Sequence, residues 1–253
     1  MPILSLEGHA IEYAEIPATR AAAPDLVFLH EGLGSVAAWR DFPARLAAET
    51  GCRAIIYSRL GYGKSDPITL PRRPDYMHRA ALEELPALRQ ALGIANPILI
   101  GHSDGGSIAL IHAGAGRWNV RALILEAPHV FVEELSIAGI AAAKQAYDSG
   151  ELKSRLARAH DHVEPMFRGW NDIWLSPQFR DWNIESSLPT IACPVLAIQG
   201  SSDQYGTLAQ IAAIQRGVGG PFEKLVLASC GHAPHRDREA ATREAMAGFI
   251  ARV

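Results

Sequence analysis

The chain has 253 residues, a length that allows one large domain with a substantial core or two small ones. Apolar residues make up 48% and charged residues 20%, which argues against a chain dominated by disorder. The net charge of -3 provides no basic surface for nucleic acid, and no apolar run reaches the roughly 18 residues that span a bilayer. We therefore expect a cytoplasmic protein without a secretory signal that binds neither nucleic acid nor membrane.

The chain opens with two β-like runs, at residues 3–6 and 11–16, which flank a glycine turn and predict a hairpin. Residues 26–30 form the next strand by their apolar composition. Ser35 can cap a helix that continues to Gly51, where the glycine ends it.

Two further strand and helix units follow in the first half of the chain. Residues 54–57 predict a strand, and a helix is expected from residue 76 to residue 92. Pro86 should kink this helix, because proline lacks a backbone N–H. Residues 97–101 predict another apolar strand, and the helix after it begins at Gly105.

The second half of the chain breaks this rhythm. Residues 122–125 predict a sixth strand, after which the sequence is helical and rich in aromatic residues until the β pattern returns at residue 194. Residues 194–198 and 224–227 predict the last two strands, before a final helix. Apolar strands that alternate with helices predict an α/β fold, with a mostly parallel sheet of eight strands and helices on both faces.

A glycine-flanked serine marks the end of the fifth predicted strand. Gly101 and Gly105 lie two positions either side of Ser103, where a strand reverses sharply into a helix. Such a turn holds the serine in a strained conformation, exposes its hydroxyl above the sheet edge and places it near a helix N-terminus. The alternative is an ordinary strand-to-helix turn with a polar tip.

A serine nucleophile needs a base and an acid that orients the base. His232 follows the last predicted strand directly and is the candidate base, with His235 as a rival. Asp203 follows the seventh strand and is the candidate acid, although an aspartate there could instead cap the next helix. Glu126, at the end of the sixth strand, is a less favoured acid. The chain order Ser, Asp, His is typical of one hydrolase fold.

These residues lie in motifs that resemble the α/β-hydrolase superfamily over essentially the whole chain. The motifs are His-Glu-Gly-Leu-Gly at 30–34, Ser-Arg-Leu-Gly-Tyr-Gly-Lys-Ser at 58–65, Gly-His-Ser-Asp-Gly-Gly at 101–106, Gln-Gly-Ser-Ser-Asp at 199–203 and Gly-His at 231–232. The resemblance implies a serine esterase whose helical cap, residues 129–188, is inserted after the sixth strand. Residues 1–128 and 189–253 would then form the core.

The resemblance also implies an oxyanion hole from the backbone amides of Gly32 and Asp104. The sequence departs from the family pattern nearby. Glu31 replaces a glycine, and it either pairs with Arg59 or loop amides or contacts substrate or water. Ser58 replaces an aspartate, which removes a charge. The Asp104 side chain could bond the helix start or meet a substrate ammonium, as in relatives that resemble amino-acid ester hydrolases.

The predicted cap contains Trp170 and Trp174, four residues apart and therefore on one helix face. Most of its aromatic residues should dock the cap on the core, while some should face an apolar substrate cleft. We include Glu31, Trp170 and Trp174 among the candidate substrate contacts. His160 and His162 lack a completing metal ligand at a recognisable spacing, in a segment expected to be exposed and helical. We expect no metal and no cofactor.

Three cysteines, Cys52, Cys193 and Cys230, are odd in number and far apart, which favours reduced thiols. The sequence as a whole predicts hydrolysis of a small to medium, mostly apolar ester or thioester through an acyl-enzyme. Two alternatives keep the fold: a C–C hydrolase of ring-cleavage products and a cofactor-free perhydrolase. A third is a ligand-binding protein with residual activity. The oligomeric state is not predicted by the sequence.

Overall fold

The computed structural model describes residues 2–253 and contains one sheet of eight strands in the order β1-β2-β4-β3-β5-β6-β7-β8. The strands are β1 (Ile3–Leu6), β2 (His9–Ile16), β3 (Asp25–Leu29), β4 (Arg53–Tyr57), β5 (Ile98–His102), β6 (Ala122–Glu126), β7 (Val195–Gly200) and β8 (Phe222–Leu227). The opening hairpin β1–β2 pairs antiparallel, as does β2 with β4. All other neighbours are parallel, which confirms the predicted mostly parallel sheet.

Helices cover both faces of this sheet. They are α1 (Phe42–Thr50), α2 (Tyr76–Arg79), α3 (Leu85–Ala91), α4 (Asp104–Gly114), α5 (Glu134–Asp148), α6 (Glu151–Leu156), α7 (Val163–Leu175), α8 (Leu208–Gly217), α9 (Pro234–Asp237) and α10 (Glu239–Ile250). Within residues 2–253, none of these helices is long and apolar enough to cross a membrane. The parallel strands β3, β5, β6 and β7 end at one edge of the sheet, so the loops that follow them meet there.

The hydrophobic core consists of two layers, one on each side of the sheet. Alternate residues of β3 show the division, since Phe28 packs with α1 and α10 while Val27 packs with α2–α4 and the helices after β6. Every residue of β5 and β6 is buried, as expected for strands covered on both faces. The segment between β6 and β7 contains α5, α6 and α7, and its division from the core at residues 129–188 stays a prediction.

The helix predicted from Ser35 to Gly51 is wrong as a single element. The chain forms a short 3₁₀ turn at Val36–Trp39, is interrupted at Arg40 with a positive φ of 54°, and then starts α1. Pro43 explains the break, because its missing N–H suits the first turn of a new helix and not the interior of a longer one. Ser35 makes no side-chain cap, whereas Gly51 ends α1 in the left-handed conformation as predicted.

The helix predicted from residue 76 to residue 92 is present but changes its geometry along its length. α2 passes into a π-helical turn at Ala80–Glu84 before α3 begins, with Pro86 in the first turn of α3. The wider π-helical turn accommodates the proline. Proline has no N–H to donate to the carbonyl group four residues earlier, and the π-helical turn moves that carbonyl group away from its α-helical position.

Candidate active site

Ser103 occupies a strained turn between β5 and α4, with φ 53° and ψ -117°. Such backbone conformations cost about 1–3 kcal/mol and need a surrounding structure that enforces them. The flanking glycines make that structure possible. A Cβ on Gly101 would lie 2.3 Å from the Gly105 carbonyl oxygen, and one on Gly105 would lie 2.0 Å from the Leu29 carbonyl oxygen. The tight turn therefore requires glycine at both positions.

Asp203 and His232 lie in contact beyond the ends of β7 and β8. The His232 Nδ1 is 2.8 Å from Asp203 Oδ2 and 2.9 Å from Oδ1. Asp203 also accepts hydrogen bonds from Gln199 Nε2 and from the Tyr205 amide. Burial alone would raise the pKa of Asp203, but the contact with His232 lowers it, so the acid is held ionised. Thr207 caps α8 instead, which removes the helix-cap alternative for Asp203.

Ser103 is joined to the His232 loop through its own neighbour. His102 Nε2 lies 2.6 Å from the His232 carbonyl oxygen, and the two imidazole rings are 5.1 Å apart. Among the described residues, no hydrogen bond joins Ser103 Oγ to His232 Nε2. Catalytic hydrogen bonds are often open in unliganded proteins and tighten when substrate binds. Ser103 is only 6% exposed, so the turn is covered by the protein.

The backbone amide of Asp104 belongs to this turn, and Gly32 lies on the loop that follows β3. Asp104 is the first residue of α4, so its N–H has no acceptor within the helix. A Cβ on Gly32 would lie 2.0 Å from Nε1 of Trp170, so the indole of α7 rests directly on the loop. Trp174 points elsewhere and donates to the Tyr76 hydroxyl at 2.9 Å. The oxyanion and substrate-contact roles of these residues stay predictions.

The Asp104 side chain has a partner that the sequence did not reveal. Tyr76 Oη lies 2.7 Å from Asp104 Oδ2, and Arg59 Nη2 is 4.0 Å from the same oxygen. Burial is the main influence on the Asp104 carboxyl and raises its pKa, although Arg59 and Tyr76 oppose that shift. With 1% exposure and these neighbours, Asp104 serves neither as a cap of its own helix nor as an open acceptor for solvent.

The loop that contains Gly32 is held from below by His30 and Arg59. His30 Nδ1 donates to the Glu31 carbonyl oxygen at 2.7 Å, and its Nε2 accepts from the Arg59 amide at 3.1 Å. The Arg59 guanidinium donates to the carbonyl oxygens of both His30 and Glu31. Burial, helped by the nearby Arg59 charge, keeps the pKa of His30 well below its usual value, so the ring is neutral. The loop backbone is therefore rigidly supported.

The Glu31 carboxylate pairs with a histidine and not with Arg59. Its Oε2 lies 3.4 Å from His102 Nδ1, while Arg59 binds only the Glu31 backbone. Burial opposes the ionised carboxylate, yet the His102 contact outweighs it and places the pKa of Glu31 well below its usual value. Glu31 is therefore paired with another group of the protein, as one of the two expectations had it. The partner is His102, however, and not Arg59 or the loop amides.

A buried acidic side chain from another strand lies beside Ser58, the position at which the family pattern has an aspartate. Glu12 on β2 is 2% exposed and accepts a hydrogen bond from Ser58 Oγ at 2.7 Å and from the Lys64 amide at 3.0 Å. Ser58 Oγ in turn accepts from the Val36 amide at 2.9 Å. The serine is therefore a bridge between a buried carboxylate and the loop before α1, which the sequence spacing did not predict.

The two less favoured candidates, Glu126 and His235, form a second acid–histidine pair. Glu126 Oε2 accepts from the His235 amide at 2.9 Å and lies 3.0 Å from its Nδ1. The His235 ring packs on Trp39 with centroids 4.7 Å apart, and on Phe42 at 5.6 Å. Burial would raise the pKa of Glu126, but the charge and hydrogen bond of His235 lower it. This pair faces the core.

Two side chains beside His232 were missed by sequence reasoning. The Tyr205 ring lies 4.7 Å and the His129 ring 5.8 Å from the His232 ring. Burial lowers the pKa of His129 to about 3, so it stays neutral at physiological pH. Neither residue belongs to a recognisable motif. Their positions after β6 and β7 are the one signal that could have indicated them, because these strands end at the same sheet edge.

The expectation that His160 is exposed and helical is wrong. His160 follows α6, is 4% exposed and accepts from the Gly63 amide through Nδ1 at 2.9 Å. Its Nε2 donates to the Leu33 carbonyl oxygen at 3.1 Å. The residue thus ties the helical segment to two core loops. Among the described residues, no group of His, Cys, Asp and Glu side chains has a metal-binding arrangement.

A cavity of about 460 Å³ opens on the far side of Asp104, between the opening hairpin and α2. Arg59 and Tyr76 separate it from the nucleophile turn, and Ser103, Asp203 and His232 do not line it. It is therefore not the space in which Ser103 would meet a carbonyl group.

Comparison with known proteins identifies the class. The sequence model of the Alpha/beta hydrolase family matches residues 26–245, which is most of the chain. The protein belongs to this family, and the predicted resemblance is confirmed.

Two relatives and one solved structure show how similar this chain is to known proteins. A proline iminopeptidase of Lactobacillus delbrueckii subsp. lactis is 24% identical over 282 aligned positions, covering 96% of this chain and 95% of that protein. A proline iminopeptidase of Lactobacillus helveticus is 35% identical over 113 residues, but the match covers 44% of this chain and 36% of that protein. A structure from a study of carboxylesterases of Nitrososphaera gargenis superposes with a TM-score of 0.79 at 20% identity, covering 99% and 98% of the two chains, and shares the fold.

Proposed function

We propose that the protein is a serine hydrolase that cleaves a carboxylic ester or thioester through an acyl-enzyme. The observation that carries this proposal is the buried Asp203 carboxylate in contact with His232, whose loop is tied to the residue before Ser103. A carboxylate on Nδ1 fixes the tautomer in which Nε2 can accept a proton. The strained glycine-flanked turn supports Ser103 as the nucleophile.

The proposed reaction uses these groups in two half-reactions. Ser103 Oγ attacks the carbonyl carbon while His232 Nε2 takes its proton and later gives it to the leaving alcohol or thiol. The amides of Gly32 and Asp104 stabilise the oxyanion, a contribution of about 3 kcal/mol for each donor in comparable sites. Water, activated by His232, then attacks the acyl-enzyme and releases the acid.

The surroundings of the turn favour a largely apolar and uncharged acyl group. Trp170 covers the Gly32 loop, and both carboxylates beside it already have partners, Glu31 with His102 and Asp104 with Tyr76. A substrate cation would have to compete with these contacts. We propose that the helical segment acts as a cap, because Trp170 and His160 contact core loops around the turn.

A second candidate function is suggested by the relatives named proline iminopeptidase, one of which aligns along 96% of this chain. The same acyl-enzyme chemistry would then act on an amide bond beside a free amine. Such a substrate needs an available carboxylate for its ammonium group. The internal pairing of Glu31 and Asp104 favours the ester hydrolase.

A substrate panel tests the proposal. Purified protein would be assayed against p-nitrophenyl esters of increasing acyl length, acyl thioesters, prolyl and alanyl p-nitroanilides, a vinylogous 1,5-diketone and acetate with peroxide. Ser103→Ala serves as the control for each compound. We expect ester or thioester cleavage that is lost in Ser103→Ala, and little anilide cleavage. Preference for prolyl anilide, or for the diketone, would replace the ester assignment. Ester cleavage that persists in Ser103→Ala would contradict the mechanism.

A further inference from the structure

The His102 side chain contacts both the loop that contains His232 and the loop that contains Glu31 and Gly32. Its Nε2 lies 2.6 Å from the His232 carbonyl oxygen, and its Nδ1 lies 3.4 Å from the Glu31 carboxylate. The ring is 2% exposed, so water does not compete for either nitrogen. It also precedes Ser103 directly in the chain. The three parts of the proposed machinery therefore converge on one imidazole.

The two nitrogens of His102 have different surroundings: Nε2 is hydrogen-bonded to a carbonyl oxygen, whereas Nδ1 makes no hydrogen bond among the described residues and lies 3.4 Å from the Glu31 carboxylate. A carbonyl oxygen accepts but does not donate, so Nε2 carries a proton. A carboxylate likewise favours a proton on Nδ1. The ring with both protons is an imidazolium, and Glu31 is its counter-ion. If Nδ1 carried no proton, its lone pair would face the negative Glu31 carboxylate and would be repelled by it.

The loop geometry around Glu31 is shaped for this contact. A Cβ on Gly34 would lie 2.3 Å from Glu31 Oε2, so the glycine leaves the space in which the carboxylate turns towards His102. The Glu31 backbone is fixed separately by His30 and Arg59. A change at the Glu31 side chain would therefore alter the His102 contact while leaving these backbone bonds in place.

We propose that His102, held as an imidazolium by Glu31, is a positioning residue that couples the oxyanion loop to the loop of the base. The proposal rests on the proposed function, since it assigns His102 a role in aligning Ser103, His232 and the Gly32 amide. His102 touches no reacting atom. It acts by holding the His232 backbone at a fixed distance from the Gly32 loop.

The coupling depends on pH through the charge of His102. Burial disfavours the imidazolium, but the Glu31 contact outweighs burial and raises the pKa of His102. The charged coupling is therefore present below that raised pKa and is lost as the pH rises through it. The other titratable and charged groups near this pair lie on several elements, and they are His30, Asp104, Glu126, His129, His160, His232, His235 and Arg236.

Charge and shape can be separated by two substitutions at Glu31. Glu31→Gln keeps the shape, and its amide can donate to a neutral His102 Nδ1, so the two loops stay joined without a proton on that nitrogen. Glu31→Ala removes the contact altogether. Glu223→Gln is the matched control, because it removes the same charge from an exposed pair with Arg252.

The rate of Ser103 modification by a fluorophosphonate would be measured from acid to alkaline pH for each protein, with separate saturation and maximal rate constants. We expect the wild type and Glu223→Gln to lose rate above the titration of His102, and Glu31→Gln to lack this alkaline fall. Glu31→Ala should be slower by about tenfold in its maximal rate constant, with unchanged saturation, because small misalignments of reacting groups are costly. An unchanged alkaline fall in Glu31→Gln would overturn the proposal.

A readout independent of activity accompanies these rates. NMR titration of the His102 imidazole should show a midpoint that drops in Glu31→Gln and does not change in Glu223→Gln. An equal midpoint in all three proteins would overturn the proposal even if the chemistry proceeds. Absence of any labelling at Ser103 would instead contradict the proposed function, and the NMR comparison would still decide the role of Glu31 as counter-ion.

Discussion

Two acid–histidine pairs lie side by side at the carboxyl edge of the sheet, and they differ in what surrounds the ring. In both, a carboxylate contacts Nδ1, at 2.8 Å for Asp203–His232 and 3.0 Å for Glu126–His235. Asp203 follows β7 and Glu126 is the last residue of β6, and these two strands are neighbours in the sheet. The chemical groups alone therefore do not distinguish a reactive pair from a structural one.

The surroundings do distinguish the two pairs. The His235 ring packs on Trp39 and Phe42, and its side chain is 3% exposed. The His232 side chain is 13% exposed. Both rings lie 5.1 Å from the ring of His102, but His102 forms a hydrogen bond only with the backbone of His232. A base needs an accessible second nitrogen, whereas a core pair needs only to satisfy a buried charge. The greater exposure of His232 supports the proposal that His232, and not His235, is the base.

The largest expected difference between the pairs is in catalysis. His232→Ala should lower kcat for the best ester by about 10⁵-fold or more, because the nucleophile loses its base. His235→Ala should change kcat of the folded protein by about tenfold or less, since its ring packs on aromatic side chains of the core. Steady-state kinetics on both variants, with the folded fraction measured by circular dichroism, checks this. Equal losses in the two variants would remove the distinction.

Asp203→Asn probes the orienting role of the acid. The amide can hydrogen bond to Nδ1 while favouring the wrong tautomer, so kcat should fall by about 10⁴-fold with the fold retained. The measurement is single-turnover acylation with an activated ester, next to the urea midpoint of the same sample. A variant that loses stability but keeps its acylation rate would make Asp203 a structural residue like Glu126.

For the stability of the protein, we expect the Glu126–His235 pair to matter more than it does for catalysis. Glu126→Gln removes a fully buried carboxylate that is hydrogen-bonded to the backbone amide and to the ring of His235, so we expect a loss of about 3 kcal/mol in the free energy of unfolding. Urea unfolding at neutral pH measures it, with Glu223→Gln as an exposed control expected to change little. A loss no larger than that of the control would show that the core pair contributes no net stability.

The smallest expected effect is the pH dependence of that loss. The contact with His235 places the folded pKa of Glu126 below its ordinary value, so its stabilisation is fully present above the unfolded pKa of about 4.3. It is lost as the pH falls through the lower folded pKa. The stability difference between wild type and Glu126→Gln should therefore narrow below about pH 4. Unfolding curves along a pH series would show a constant difference if the pair were neutral.

Much of this architecture follows from local sequence patterns. Apolar runs predict all eight strands, and the positions of Asp203 and His232 after strands predict that they meet at one sheet edge, where the structure shows them in contact. Their catalytic roles remain predictions. The end of α1 at Gly51 is predicted by the glycine itself, because few other residues readily adopt the left-handed conformation found there.

The features that sequence reasoning missed depend on contacts between distant segments. Glu12 meets Ser58 across 46 positions, Glu126 meets His235 across 109, and Tyr76 meets Asp104 across 28. No spacing rule predicts such pairs, since packing of whole elements brings them together. The same holds for His160. The local sequence predicts an exposed polar residue, but the fold brings its ring into contact with Leu33 and Gly63.

The most direct test of the central claim is to locate the residue that a fluorophosphonate modifies. Wild type and His235→Ala would be labelled, digested and analysed by mass spectrometry, alongside Ser103→Ala and His232→Ala. The account predicts a single adduct on Ser103 in the first two proteins, no adduct in Ser103→Ala, and very slow labelling in His232→Ala. An adduct on another residue, or labelling that requires His235 and not His232, would contradict it.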